Sequence, residues 1–318
     1  MPDVSNDLDR AVATVVERCL GVTAGEEVLV VADSDRADLG RALHEAVLAA
    51  GGDGALVVVA PDARRGTEPP LAVAAALARA DAYLAPCLPS ISHTRARKAA
   101  TEAGVRGATL PGVTEDLLGR LMSADFDTLA KRSQAVAALL SDATEAHLTC
   151  PRGTDLRLDV TGRAGISDHG DLTAPGAFGN LPCGEGFVAP LHGEGSLVAS
   201  SLPGPGVVRD EPVTLTVRDG RLADGAGRHA AAYLEQLDAH GPAGRNLAEL
   251  GVGTNERATL TGNILEDEKI LGTAHVAFGA SAAIGGTVAV PVHLDVVVLE
   301  PTVTVGGTTV VEAGRFVL

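Results

Sequence analysis

The residues best suited to chemistry lie near the end of the chain. Val292-His293-Leu294-Asp295-Val296 alternates apolar and polar residues with a period of two, and on a strand successive side chains point to opposite faces. His293 and Asp295 are therefore expected on one face, with Val292, Leu294 and Val296 in the core. An imidazole and a carboxylate held two residues apart on a rigid strand are placed to share one cation. A single such pair is more often the polar face of an edge strand, so metal chemistry requires further ligands.

Further ligands are present. His275 lies in Thr273-Ala274-His275-Val276-Ala277-Phe278-Gly279, and Gly279, Gly285 and Gly286 separate it from His293. Glycines permit a tight return, so two neighbouring strands could bring the imidazoles together. Upstream, Glu249 sits in Ala248-Glu249-Leu250-Gly251-Val252-Gly253, and Glu185 in Pro182-Cys183-Gly184-Glu185-Gly186-Phe187. Each is a lone acid in an apolar, glycine-flanked context, where an unpaired charge is costly to bury. A cation would remove that cost.

The phrases GNLPCGEGFVAP, LAELGVGTN, ILEDEKILGTAHVAFG and VHLD, in this order, resemble the metallo-aminopeptidase family of aminopeptidases T and S from about Leu148 onward. The resemblance implies two divalent ions, zinc, cobalt or manganese, held by Glu185, Glu249, His275, His293 and Asp295. It implies a homodimer and a hydrolase that releases N-terminal amino acids from peptides. Its water would be activated by metal, with a pKa lowered from near 16 toward about 7. Glu185 or Glu249 would be the catalytic acid that moves a proton besides binding metal. The chain departs from that family in length and at Ala282, which stands where the family has a tyrosine.

A related group, the 2,5-dihydroxypyridine dioxygenases, is similar in the His…His-x-Asp core. It uses one ferrous ion on two histidines and a carboxylate, the ligand set of a non-haem oxygenase. Those residues would here be His275, His293 and Asp295, with Glu185 and Glu249 as acids around the ion or the substrate. The group has a longer insert between its histidines, and this chain has both glutamates. The expectation is therefore the aminopeptidase-like hydrolase, with the mononuclear Fe(II) ring-cleaving dioxygenase as the alternative.

The elements that position these residues divide into two expected domains, since the 318 residues exceed the ~250–300 at which single cores stop growing. Residues 1–145 are expected to form an α/β domain, a parallel sheet with helices on both faces that encloses substrate. Residues 146–318 are expected to form an α+β domain whose antiparallel sheet carries the metal. In the first half, apolar runs at Glu27–Ala32, Ala55–Ala60 and Asp81–Pro86 alternate with helical patterns at Leu8–Leu20, Leu39–Leu48 and Leu71–Ala80. Asp33-Ser34-Asp35 is a helix cap, Gly51-Gly52 a stop, and Pro61 the end of the second strand. In the second half, hairpins are expected across the Pro151-Arg152-Gly153 turn and across Asp219-Gly220. A helix is expected from Arg228 to Leu237, and strands from Val288 to Val311.

No G-x-G-x-x-G or Walker A pattern follows the first strand, so a dinucleotide site is not expected. The net charge of −16 argues against nucleic acid and anionic membrane surfaces, both of which need a basic face. The expected partner is a small molecule or short peptide. The N-terminus is acidic where a signal peptide is basic, and no apolar run reaches membrane-spanning length. With Cys19, Cys87, Cys150 and Cys183 widely spaced, a cytoplasmic protein with reduced thiols is expected.

Among other residues, Cys183 reads as a small buried hydrophobe and His93 as part of a solvated helix start. Arg95 or Arg97 could reach a substrate carboxylate, and His192 could support Glu185. Lys269, in Asp267-Glu268-Lys269, reads equally as a cation that orients an anion and as a solvated loop residue.

Overall fold

A computed structural model describes residues 4–60, 68–88 and 90–318. Pro61 lies outside them. The chain forms two compact units, Met1–Ala124 with Gly170–Cys183, and Asp125–His169 with Gly184–Leu318. The division is therefore not a single cut after residue 145.

The first unit is built on a parallel sheet in the order Asp53–Val59, Glu27–Asp33, Ala82–Ala85, Arg106–Thr109 and Phe178–Asn180. Strand Glu27–Asp33 buries every residue after Glu27, as its continuous apolar run requires in a sheet covered on both faces. The Asp33 carboxylate accepts hydrogen bonds from the backbone N–H groups of Asp35 and Arg36, both at 3.0 Å. That cap starts the chain toward helix Ala37–Ala49, which buries Leu39, Leu43 and Val47 and is followed by Gly51 in the left-handed region at φ 88°. The strands at Arg106–Thr109 and Phe178–Asn180 extend the sheet beyond the expected runs.

The second unit holds two antiparallel sheets. The larger has eight strands, in the order Arg221–Ala226, Val213–Arg218, His192–Ala199, Asp155–Asp159, Glu145–Thr149, Thr302–Val305, Thr308–Glu312 and Arg315–Phe316. Both expected hairpins are present in it, with Leu148 opposite Leu156 and Val217 opposite Leu222. The smaller has seven strands, in the order Gly206–Val207, Ser201–Leu202, His293–Val298, Ala274–Gly279, Leu247–Gly253, Glu185–Val188 and Ile166–Asp168. The segment from Val288 to Val292 is not a strand; pairing begins at His293. Leu148, Leu156, Leu158 and Leu197 of the larger sheet share one core with Val188, Leu250, Val276, Phe278, Leu294 and Val296 of the smaller.

Helix Phe126–Asp142 clusters with this unit rather than with the first. A Cβ at Gly186 would stand 2.6 Å from Val136 and 2.8 Å from the Ser133 carbonyl oxygen. Ser133 Oγ also lies 2.7 Å from Thr254 Oγ1. The helix therefore packs directly on the strand that carries Glu185.

Candidate metal centre

The five acids and histidines occupy the face of the seven-stranded sheet that turns away from the shared core. Cross-strand pairs show how they meet. Gly253 lies opposite Glu185, and Gly251 opposite both Phe187 and His275. Ala277 lies opposite both Glu249 and Asp295, and Gly279 opposite His293. Directly paired residues share a face, so these form successive rows of one surface while Leu250, Val276, Leu294 and Val296 enter the core. A register shift between Leu247 and Glu249 lets Leu247 and Leu250 both reach the core while Glu249 points the other way. Such bulges re-aim a side chain at the cost of local pairing, and the sequence carries no sign of this one.

Small residues make the room. A Cβ at Gly253 would stand 2.2 Å from the Ile270 carbonyl oxygen, so only glycine admits the loop that follows Asn255.

Two overlapping groups result, Glu185 with Glu249 and His275, and Glu249 with His293 and Asp295. In each, the ligand atoms lie within 4.8 Å of one another. His275 Nε2 is 3.0 Å from Glu185 Oε2 and 3.3 Å from Glu249 Oε1. His293 Nε2 is 3.3 Å from Glu249 Oε2 and 3.5 Å from Asp295 Oδ1. Glu249 thus belongs to both groups and gives one oxygen to each imidazole. His275, Glu185 and Glu249 are buried, whereas the side chains of His293 and Asp295 retain 14% and 16% exposure. The open side of the centre is the His293–Asp295 side.

These residues fit a metal. Donors around one tetrahedral ion with bonds of about 2.0–2.1 Å stand roughly 3.3 Å apart, close to the separations within each group, although His275 falls in a different group from His293 and Asp295. Glu185 Oε2 is buried without a hydrogen-bond partner although it faces an imidazole nitrogen, the arrangement of two atoms that converge on a third. His293 Nδ1 lies 2.8 Å from the Ala280 carbonyl oxygen. A carbonyl only accepts, so Nδ1 carries the proton and Nε2 is left with its lone pair for a cation. His275 Nδ1 has no such partner.

The electrostatics point the same way. Burial opposes charging of His275, but the carboxylates of Glu185 and Glu249 outweigh it and hold the imidazole well above its ordinary range. Burial is likewise overcome at His293 by Asp295 and Glu249. Without an ion, the carboxylates recruit protons where a cation would sit.

Lys269 is not a solvated loop residue. Its side chain is 1% exposed, and its ammonium donates to Glu185 Oε1 at 2.5 Å and to Glu268 Oε1 at 2.8 Å. Glu268, hidden in an acidic run that reads as surface, is buried beside it. Desolvation pushes its carboxyl up to about 8; Lys269 opposes the rise, and Asp295 and Glu185 add to it. The flanking acids are buried too. Glu266 accepts from Thr259, and Asp267 accepts from Ser201, Thr261 and Gly262.

The other candidates lie elsewhere. His192 stands on the eight-stranded sheet, half exposed, 3.8 Å from Glu194 and 3.7 Å from Asp219, and so does not support Glu185. Ala282 is exposed in a short turn. Cys183 is buried. Helix Arg95–Glu102 starts after Thr94, whose hydroxyl accepts from Arg97 N–H, and His93 is exposed there. Arg97 is buried, 4.1 Å from the Phe178 ring centroid, and donates to the Ser92 carbonyl oxygen. It is a structural cation of the first unit, and Arg95 pairs with Glu68. Among the described residues no helix is long and apolar enough to cross a membrane.

Comparison with known proteins adds the following. The model of a family described as NicX: 2,5-dihydroxypyridine 5,6-dioxygenase matches residues 7–318. A search of curated proteins finds no match. Among solved structures, the 2,5-dihydroxypyridine dioxygenase from Pseudomonas putida is similar with a TM-score of 0.83 at 20% identity, over 98% of this chain and 96% of that one. Wild-type AmpT from Thermus thermophilus is similar with a TM-score of 0.70 at 20% identity, over 99% and 100%. At this identity the likenesses establish the fold, an α/β region with a parallel sheet and a region of antiparallel sheets.

Proposed function

The chain belongs to the 2,5-dihydroxypyridine 5,6-dioxygenase family, and from that premise we propose that it is a dioxygenase that opens a small hydroxylated aromatic ring of the dihydroxypyridine kind, using one ferrous ion held by His275, His293 and Asp295. The observation that carries this reading is the family match over residues 7–318, which includes every one of these residues. It reverses the order in which the sequence ranks the two resemblances. Two imidazoles and a carboxylate are the donor set suited to non-haem iron, and when bound the ion supplies open positions for dioxygen and for a ring oxygen.

The chain's own residues set the rest. The Ala280 carbonyl fixes the His293 ring. Glu249, within 3.3 Å of both imidazoles, ties them together and offers an oxygen for a proton from a ring hydroxyl. Phe187 shares the face of His275 through Gly251 and provides an apolar wall for a flat ring. The partly exposed His293–Asp295 side is where substrate arrives.

A second reading, a two-ion aminopeptidase-like hydrolase with Glu185 and Glu249 as added ligands and proton carriers, is favoured by one observation: Glu249 gives one oxygen to each of two ligand groups. One experiment separates the readings. Protein loaded anaerobically with ferrous iron is mixed with 2,5-dihydroxypyridine in an oxygen electrode, and protein loaded with zinc, cobalt or manganese is given amino-acid anilides. Oxygen uptake in step with loss of the ring absorbance supports the dioxygenase. Anilide hydrolysis without oxygen uptake overturns it in favour of the hydrolase.

A further inference from the structure

Little within its own sheet can steer Glu185. Its chain neighbours are Gly184 and Gly186, and Gly253 lies opposite it on strand Leu247–Gly253. On its other side strand Ile166–Asp168 brings Asp168, a like charge, opposite it. A long side chain among glycines keeps its torsional freedom unless something outside the sheet removes it. We propose that Lys269 is the positioning residue of this carboxylate. By holding Oε1 it turns Oε2 toward the point at which His275 Nε2 also aims, so that Glu185 offers the ion one oxygen. The inference rests on the metal-centre reading above and deepens it.

The two oxygens of Glu185 do different things. Oε1 accepts from the Lys269 ammonium at 2.5 Å. Oε2 is buried, lies 3.0 Å from His275 Nε2 and makes no hydrogen bond. A buried carboxylate oxygen without a donor is costly, and a cation between it and the imidazole removes that cost. Glu249 Oε1, 3.3 Å from the same nitrogen, joins them in one ligand group.

Lys269 can impose a direction because it is itself fixed. Its ammonium also donates to Glu268 Oε1 at 2.8 Å, and 1% of the side chain is exposed. Its N–H donates to the Glu266 carbonyl oxygen, and its own carbonyl accepts from Asn255 N–H. The turn before it is locked by the buried carboxylates of Glu266 and Asp267. The loop lies against Gly253, where any Cβ would strike the Ile270 carbonyl oxygen and the Lys269 carbonyl carbon. An ammonium anchored in this way orients the carboxylate, but its charge also repels a metal ion. The two effects act on metal affinity with opposite sign, and only the first needs Glu185.

The test is Co2+ binding to the metal-free full chain, with affinity from competition with a chromophoric chelator and ligand geometry from the visible d–d bands. K269M is expected to weaken binding about 10–100-fold, as loss of a residue that orients a ligand does, and to shift the bands. E185Q is expected to do the same. On the E185Q background, K269M is expected to change affinity by less than about twofold, because residues that act through one another are not additive. Unchanged bands in K269M or in E185Q would overturn the proposal. So would tighter binding by K269M, or an equal effect with and without Glu185, since either shows that the lysine acts on the ion by charge alone. Should K269M fail to fold, E185Q and K269M/E185Q, which lacks both members of the ion pair, decide: equal affinity and bands support the proposal, and a difference overturns it. A wild type that binds no Co2+ would overturn the metal-centre reading and this proposal with it, and oxygen uptake tests the chemistry separately.

Discussion

Gly251 faces His275 across the strand pair, and a methyl group at position 251 would stand 2.0 Å from Nε2 and 2.2 Å from Cε1 of that imidazole. The glycine is required for space, because the ring lies over the backbone of the neighbouring strand. G251A is therefore expected to displace His275, to destabilise the protein by roughly 1–3 kcal/mol as overpacking does, and to reduce metal content. Thermal unfolding and metal analysis check both, and a variant with wild-type values in each would refute the fit.

H293A and D295A each remove a donor from the open side of the centre. Iron content after anaerobic loading is expected to fall toward zero, and oxygen uptake with it. Wild-type turnover by both variants would sink the proposed site.

Glu249 touches both imidazoles without, in the one-ion reading, being one of the three ligands. E249Q is expected to weaken metal binding about 10–100-fold, as loss of a supporting carboxylate does, while the ion count stays at one. A fall from two ions to one would favour the hydrolase. Competition with a chromophoric chelator measures the affinity.

The histidines set a pH dependence. His275 and His293 are held well above the ordinary imidazole value in spite of burial. In the ion-free protein their stabilisation is fully present below the unfolded value of about 6.5. It is lost as pH rises through the raised folded values. Metal needs the neutral rings, so its affinity rises with pH and binding releases protons. The gap in Tm between zinc-loaded and ion-free protein is expected to widen from about pH 6 to about pH 8.5. A gap that narrows would contradict the assignment of both rings as ligands.

Arg97 is buried over Phe178 and bonded to Ser92, so its loss acts on stability. R97A is expected to cost roughly 2–4 kcal/mol in denaturant unfolding, from a cation–π contact and a charged hydrogen bond, with the ion count unchanged. A stable variant with altered substrate affinity would restore it as a substrate contact.

What the sequence determined by itself was local. The period-two pattern of Val292–Val296 set His293 and Asp295 on one face. The isolation of Glu185, Glu249 and His275 among apolar residues and glycines marked each as needing a partner. Alternating apolar runs and helical patterns identified the parallel sheet, and two turns identified hairpins, because turn chemistry and periodicity are properties of neighbouring residues. What only the tertiary structure decided was which distant residues meet. Helix Phe126–Asp142 joined the second unit because it packs on Gly186, and strand Phe178–Asn180 closed the first sheet beside Arg106–Thr109. Glu249 became the link between the histidines because strand Leu247–Gly253 carries a bulge and lies next to Ala274–Gly279. Lys269, which the sequence left open between a cation that orients an anion and a solvated loop residue, became the partner of Glu185 because the fold buries its run of four charges against the sheet. Pairing across such separations is selected by the packing of the whole core, and no local pattern records it.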